Sequence, residues 1–406
     1  MNEEEISGRY SRGGVWPKIK DIKWGEKFMK KRLVGVLGIM AIAVTGYLGF
    51  SIVGSKTPIA AAAKKTYSST LYVAGMGGHF AKADVTIDPN DADNPIKVNN
   101  LDRVVIGDKT THPTHDPRVD VNDRNTMFWT TYVLDPKGKA HVGKSDLKTG
   151  NVIKDVALDP DKRSPGTKPP LYCASGQSRK YFMPVFMGNE GYVDIFDKAT
   201  LGHKHRVFIS DLGYKSGTYV FLHGTNSNDM KKFLLTVTMK GEDGKANGKV
   251  DFILVDMASL EKGKFKELAR NTLTGEPGKT ITFRQYFSPD DKYVFQSAAD
   301  RFWLLDGSTL KLVDEKMSAG GQNHDAMPTP DGKYAVLTLR TNTEGCDANG
   351  KAIPGKMITD GTLQLYDVDA KRIVGKPASV CLGCHKGMAL GDKSAVLCGV
   401  DGNWKK

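Results

Sequence analysis

The stretch HDAMPTPDGKYAVLTLR, residues 324–340, contains the pattern that most clearly indicates the fold. A polar turn carrying Asp-Gly separates a leading segment from a run of Tyr, Val, Leu and Thr, which is the pattern of a tight turn that enters a buried strand. The same order of features recurs elsewhere along the chain, in stretches that begin at His115, Cys173, His223, Arg284 and His385. Such a repeat, at a spacing of about 40–60 residues, predicts the four-stranded blades of a β-propeller.

The number of blades follows from counting these starts. Short runs rich in Val, Ile, Phe, Tyr and Thr fill residues 67–406, with no sustained helical period. Six starts, with the strand-like runs of residues 71–106, predict an all-β, seven-bladed β-propeller. The last blade is short, and we expect the strand near residue 70 to complete it and close the ring. Two packed β-sheets are the alternative.

A long apolar segment determines the expected location. Residues 33–53 are 21 uncharged residues, enough for a single transmembrane helix. Seven Lys or Arg residues lie in the 15 positions before it and three in the 15 after it, which predicts a cytoplasmic N-terminus. A cleaved signal peptide is the alternative. The expected domains are a cytoplasmic tail at 1–32, an inner-membrane anchor at 33–53, a linker at 54–66 and a periplasmic or extracellular propeller at 67–406.

Net charge limits the expected binding partners, and the cysteine count limits the expected disulfide bonds. The net charge of +12 comes from scattered lysines, without a dense basic block that carries interleaved aromatic residues, so we expect no nucleic-acid partner. A basic exported surface suits an acidic partner or anionic lipid, and we expect an inner-membrane or periplasmic redox protein. Five cysteines in 406 residues do not form a disulfide scaffold.

A haem motif lies near the C-terminus. Cys381, Cys384 and His385 form C-x-x-C-H, in which two thiols attach a haem c and the histidine becomes an axial ligand of its iron. The motif therefore predicts one covalent haem c. A disulfide-type loop, or a zinc site completed by Cys398, is the alternative.

Several histidines share one position in the repeat. Because the start of each blade's inner strand lies next to the central channel, histidines that lead a repeat are expected to converge on one pocket. These in-phase histidines are His115, His223, His324 and His385. His112, three residues before His115, and His79 are further candidates. We predict His324, His115, His223 and His112 as sixth ligands of the haem iron or as ligands of a shared metal ion.

The remaining polar residues carry weaker expectations. Cys173 is either a small buried residue or a soft metal ligand, and Cys346 and Cys398 are a candidate disulfide pair. The carboxylates of residues 88–93 and 116–123 are expected to cap turns. His141, His203 and His205 are expected in surface loops.

Three family resemblances accompany these patterns. The stretches FSPDDKYVF, residues 287–295, and PTPDGKYAV, residues 328–336, resemble the YVTN and WD40-like bacterial propellers, which implies the fold and little about activity. The stretch GDKTTHPTHDP, residues 107–117, resembles a histidine segment of nitrous oxide reductase-like propellers. That resemblance implies copper ligation by His112, His115, His223 and His324. There is also a partial resemblance to cytochrome cd1-like propellers, in which a haem lies on the axis.

Three functions are compatible with these observations. The leading one is a membrane-anchored c-type haem protein that transfers electrons between a membrane oxidoreductase and a redox partner. An alternative is an oxidoreductase whose histidine-lined axial site holds copper or haem and acts on a small nitrogen or sulfur compound. The other alternative is a non-catalytic propeller subunit of a membrane complex.

Overall fold

The computed structural model describes residues 63–75, 77–108, 110–165, 171–347, 349, 351–380 and 397–405. The chain divides into two units, Met1–Ala61 and Ala62–Lys406, and the described residues all belong to the second. Within them, no helix has the length and apolar character needed to span a membrane. The predicted anchor at 33–53 and the haem motif at 381–385 lie outside the described residues.

The described strands form six antiparallel four-stranded sheets, which are the blades of a β-propeller. The strands of the first three blades are β1 (Tyr67–Gly75), β2 (His79–Ile87), β3 (Ile96–Val105), β4 (Thr114–Val119), β5 (Thr126–Thr131), β6 (Ala140–Asp146), β7 (Val152–Leu158), β8 (Tyr172–Gln177), β9 (Tyr181–Phe186), β10 (Tyr192–Asp197) and β11 (His203–Phe208). Those of the others are β12 (Tyr219–Asn226), β13 (Lys232–Lys240), β14 (Ala246–Asp256), β15 (Glu267–Thr274), β16 (Gln285–Phe287), β17 (Tyr293–Ser297), β18 (Arg301–Asp306), β19 (Leu312–Met317), β20 (Gln322–Pro328), β21 (Tyr334–Cys346), β22 (Ala352–Asp367) and β23 (Arg372–Ser379). The last strand, β24 (Leu397–Trp404), belongs to the first blade. A 3-10 turn at Ile209–Leu212 and a one-turn helix at Met257–Leu260 are the helical segments of the described part.

The predicted count of seven blades is wrong, because the propeller has six. Blade 1 is β24-β1-β2-β3, and each later blade is four consecutive strands. The stretch that begins at His385 and the strands between residues 71 and 106 were counted as two blades, but they supply one blade between them. The expected pairing of the C-terminal strand with the strand near residue 70 is present, with Val73 opposite Val400 and Ser69 opposite Trp404.

The first strand of each blade lies on the inside of the ring. The inner strands β24, β4, β8, β12, β16 and β20 contact one another in this order, and β20 contacts β24 again. Each of the six interfaces between neighbouring blades holds a cluster of buried apolar side chains. A large apolar side chain buried there contributes about 1.5–3 kcal/mol, so each blade is held by its two neighbours.

Local sequence explains the turns inside the blades. In the turn before β17, the Ser288 hydroxyl donates a hydrogen bond of 2.6 Å to Asp290. In the turn before β21, Thr329 donates a hydrogen bond of 2.9 Å to Asp331. The next residue in each turn has positive φ, 58° at Asp291 and 70° at Gly332. Asp, Asn and Gly tolerate this conformation best, which is why the repeat carries Asp-Asp or Asp-Gly there.

Candidate metal centre

Three neighbouring inner strands bring four potential metal ligands to one buried point. His115 and Asp116 lie on β4, Cys173 on β8 and His223 on β12. One ligand atom each of His115, Asp116 and Cys173 lies within 4.8 Å of the others. The Sγ atom of Cys173 contacts the Asp116 carboxylate and lies 2.9 Å from Nδ1 of His223. We call these four residues the axial cluster.

Irregular pairing of the inner strands orients these side chains. The register of β4 against β5 shifts between His115 and Arg118, and Asp116 has a φ of 53°, in the left-handed region. A similar shift follows Cys173 in β8. In a regular strand, adjacent side chains point to opposite faces, whereas a bulge redirects them and is frequent next to functional sites. The bulge therefore allows His115 and its neighbour Asp116 to contribute to one cluster.

Both imidazoles contact the axial cluster through Nδ1. Nδ1 of His115 donates to the Tyr172 carbonyl oxygen at 2.6 Å. The same nitrogen lies 3.8 Å from a carboxylate oxygen of Asp116, and a carbonyl partner of this kind commonly orients a ligand histidine. Nε2 of His223 is buried and has no hydrogen-bond partner among the described residues. Such an atom is costly in a protein interior unless something binds it.

Burial and charge set the protonation states of the axial cluster. Burial alone would raise the pKa of Asp116, but electrostatic interactions with His115 and Arg284 outweigh burial and hold this pKa at about 2. Burial lowers the pKa of His223 to about 3, although Asp116 opposes the shift. At neutral pH the cluster therefore offers a carboxylate and a neutral imidazole, the forms that bind metal ions.

A buried arginine contacts the axial cluster through Asp116. Nη1 of Arg284 lies 3.7 Å from Asp116 and 3.2 Å from Asp325. The backbone N–H of Gly399 donates to Asp116 at 3.1 Å, and that of Val400 donates to Asp325 at 2.8 Å. Burial raises the pKa of Asp325 to about 6, with Arg284 opposing the shift. We call Arg284, Asp116 and Asp325 the axial ion triad. Its two carboxylates belong to blades 2 and 6 and accept hydrogen bonds from β24, the strand that closes the ring.

His324 lies at the axis but outside the axial cluster. It is on β20 and is 1% exposed. Phe283 stacks on its ring at a centroid distance of 4.1 Å, and the same phenyl ring lies 6.3 Å from the ring of His223. Burial holds the pKa of His324 well below its usual range, and its Nδ1 has no hydrogen-bond partner within the described ranges. His324 is therefore a neutral imidazole separated from His223 by an aromatic ring.

His112 is not brought together with the axial cluster. Its Nε2 atom lies 3.0 Å from Asp155, on the outermost strand β7, and its ring centroid lies 4.6 Å from that of His141 on β6. His141 was expected in a surface loop, but it lies in a strand and is 7% exposed. His79 is buried at the start of β2, where burial lowers its pKa. His112 and His115 thus belong to different environments of the same blade.

Two acidic residues, Asp116 and Asp325, were not assigned to the candidate metal centre from the sequence. Asp116 was expected to cap a turn, but it is fully buried in the axial cluster, and Asp325 was not considered. Asp88 and Asp91 do cap turns, with backbone N–H donors at 3.0 and 2.9 Å. The missed signal is the dipeptide His-Asp, which occurs at the same repeat position in two blades, as His115-Asp116 and His324-Asp325.

Other predicted residues cannot be placed. Cys381, Cys384 and His385 lie outside the described residues, so haem attachment remains a prediction. The side chains of Cys346 and Cys398 are likewise outside the described part, and so the candidate disulfide remains a prediction.

His203 and His205 were expected in loops but lie on β11, where His203 contacts a buried carboxylate. His203 Nε2 lies 2.9 Å from Asp194, and Arg206 donates two hydrogen bonds of 2.8 Å to the same side chain. The Tyr172 hydroxyl donates a further bond to Asp194. Burial would raise the pKa of Asp194, but the bonds from Arg206 and His203 outweigh it and lower this pKa.

We expect Asp194→Asn to lower the free energy of unfolding at pH 7 by about 3–5 kcal/mol, because it leaves a buried guanidinium without its anion. Since the folded-state pKa is lowered, this stabilisation is present above the unfolded-state pKa near 3.8 and is lost as pH falls from there through the folded-state pKa. Urea unfolding at pH 7 and at a series of pH values below 3.8 measures the effect. The control Asp159→Asn, in an exposed ion pair with Lys139, should change little. Equal losses in the two variants would contradict the assignment.

Comparisons with known proteins identify no family for this chain. No family model matches the sequence, and no curated protein matches it. A similar solved structure is described as "Crystal structure of Nidogen/Laminin Complex", with a TM-score of 0.48, 9% identity, and coverage of 83% of this chain and 97% of that chain. At this level of similarity the match carries no functional argument. The chain is a six-bladed β-propeller that contains His, Asp and Cys groups with the spacing of metal ligands.

Proposed function

We propose that this protein is an exported electron-transfer protein. In this proposal the axial cluster holds a copper ion, and a haem c is attached at Cys381 and Cys384, with His385 as axial ligand. The observation that carries the proposal is the convergence of two imidazoles, a thiol and a carboxylate on one buried point of the propeller axis.

The chemistry of the donors favours a transition metal. Thiolate and imidazole suit copper and zinc, whereas Ca²⁺ and Mg²⁺ prefer oxygen ligands. Sites with two histidines and one cysteine are typical of copper proteins that transfer electrons. His115, Cys173 and His223 would hold the ion, with Asp116 as a further ligand or as a partner for the bound cysteine. A copper ion there would supply one-electron redox chemistry.

Burial favours electron transfer over substrate turnover. His115 is 3% exposed, His223 1%, and Asp116 and Cys173 0%. A substrate needs an entry route and an open coordination position, whereas an electron needs neither. Oxidation of a small nitrogen or sulfur compound is therefore the weaker proposal.

The haem part of the proposal rests on C-x-x-C-H and its place in the chain. His385 precedes Leu397, the first residue of β24, by 12 positions, and β24 contacts the axial ion triad. We propose His324 as the sixth ligand of the haem iron, because its neutral imidazole is at the axis and lies outside the axial cluster. The anchor at 33–53, the periplasmic location and a redox partner remain predictions from the sequence.

The test is the cofactor content of the full-length protein, expressed with the machinery that matures c-type haem. We expect one haem and one copper ion per chain, measured by a pyridine haemochrome spectrum and by elemental analysis. Cys381→Ala should lose the haem and keep the copper. Cys173→Ser should lose the copper and keep the haem, because it removes the thiolate. His324→Ala should let the reduced haem bind carbon monoxide.

The test has one control variant, and particular results would overturn each part of the proposal. His205→Ala, which removes an exposed imidazole of β11, should leave both cofactors in place. Zinc in place of copper would overturn the redox role of the axial cluster. Absence of covalent haem from the parent protein would overturn the haem assignment. Absence of both cofactors would leave the non-catalytic propeller subunit as the better description.

A further inference from the structure

A second group of potential metal ligands lies in blade 2, on its two outer strands and in the loop before β4. Nε2 of His112 lies 3.0 Å from Asp155, and Nδ1 of His141 lies 2.9 Å from the same carboxylate. The three ligand atoms lie within 4.8 Å of one another. We call His112, His141 and Asp155 the rim cluster. None of these three residues belongs to the axial cluster, and the function proposed above does not require them.

The sheet itself aligns the rim cluster. His141 pairs with Ala157, and Gly143 pairs with Asp155, in the antiparallel ladder of β6 and β7. Residues two apart on a strand share one face, so His141 and Asp155 are diagonal neighbours on the same face of blade 2. His112 reaches this face from the loop before β4, where a side chain at Gly107 would place its Cβ 2.5 Å from Nδ1 of His112. The glycine is therefore needed for this approach.

A second layer of polar groups orients both imidazoles. The nitrogen of His112 that faces away from Asp155 lies 2.9 Å from the Thr111 hydroxyl. The corresponding nitrogen of His141 lies 3.3 Å from Asp135. Asp135 is itself fixed, because its other oxygen accepts the backbone N–H groups of Lys137 and Lys139. Ligand histidines in metal sites typically donate their second N–H to a carboxylate, carbonyl or similar group, and both imidazoles have this arrangement.

We propose that the rim cluster is a second metal site, for a borderline divalent cation such as Zn²⁺. Two imidazoles and a carboxylate suit zinc and disfavour Ca²⁺ and Mg²⁺, which take oxygen ligands. Two carboxylates, Asp155 and Asp135, place negative charge around the site. The side chains of His112 and Asp155 are 19% and 30% exposed, so a cation reaches them from solvent. Three protein ligands leave the fourth tetrahedral position to water or to a small ligand.

Zinc titration of the full-length protein, stripped with a chelator, tests the site. We expect one rim zinc ion per chain, which His112→Ala and Asp155→Asn abolish and Cys173→Ser retains. Asp135→Asn should weaken binding by about 10–100-fold, since it removes only the partner of a ligand histidine. His205→Ala, which removes an exposed imidazole of blade 3, is the control and should bind zinc as the parent does.

Cobalt spectroscopy keeps the test valid if a ligand variant unfolds. His112→Cys replaces one nitrogen ligand by a thiolate, so its Co²⁺ form should gain a sulfur-to-metal charge-transfer band that the parent lacks. The measurement uses the Cys173→Ser background, in which Co²⁺ at the axial cluster has no thiolate ligand and cannot give the same band. Zinc stoichiometry and affinity unchanged in His112→Ala and Asp155→Asn would overturn the proposal. A folded His112→Cys variant without the new band would also overturn it.

Discussion

Arg284→Met is expected to lower the free energy of unfolding by about 3–5 kcal/mol, because two buried carboxylates lose the cation between them. The guanidinium is 1% exposed, and Nη1 lies 3.2 Å from Asp325 and 3.7 Å from Asp116. Neither carboxylate is exposed, so water cannot replace the arginine without rearrangement. Urea unfolding followed by circular dichroism measures the loss.

A double variant shows whether the charge itself is responsible. Asp325→Asn in the Arg284→Met background removes one of the two unpaired charges and should restore part of the lost stability, giving a coupling energy between the two positions. Arg372→Met removes an exposed arginine from β23 and should change little. Strictly additive losses in the Arg284 and Asp325 variants would show that the ion triad does not act as a unit.

Removal of the closing strand, residues 397–406, is the second change with a large expected effect. It takes the inner strand from blade 1, exposes the edge of β1 and opens the ring between β20 and β4. It also removes the backbone donors of Gly399 and Val400 from two buried carboxylates. We expect the free energy of unfolding to fall by more than about 5 kcal/mol, comparable with the whole stability of many domains.

Two further chains test this assignment. A chain that lacks only Lys405 and Lys406 keeps β24 and should melt as the parent does. Gly399→Ala keeps the strand but places a Cβ 2.1 Å from Nη1 of Arg284 and 2.3 Å from Oδ1 of Asp116, so it should also be strongly destabilising. Thermal unfolding and size-exclusion chromatography are the measurements. A truncated chain with parental melting behaviour would contradict the closure of the ring by β24.

Local sequence patterns predicted the turns within the blades but not the number of blades. The turns that contain Asp290 and Asp331 depend on residues within a few positions, so their pattern could be found in the chain. Seven blades were predicted because residues 71–106 and the stretch that begins at His385 were each assigned a blade of their own, whereas β24 and β1, which pair across more than 300 positions, belong to one blade. A repeat start and a group of strands that belong to one blade look like two blades when only sequence spacing is considered.

For the candidate site, the sequence likewise predicted the strand positions of several residues but not how all of them are grouped. Its repeat position placed His115, His223 and His324 on inner strands, because phase within a blade is a local property. Spacing alone did not separate His112 from His115, since a loop carries one toward the outer strands and a bulged inner strand carries the other to the axis.

By itself the sequence determined that the described region is a β-propeller, where its tight turns lie and which residues lead each blade, because backbone propensity and strand period act over a few residues. The three-dimensional structure was needed for the number of blades, the burial of Asp116 beside Arg284 and Cys173, and the grouping of His112 with His141. Each of these depends on contacts between distant segments, whose partners are set by the closure of the ring and by the pairing register of its strands.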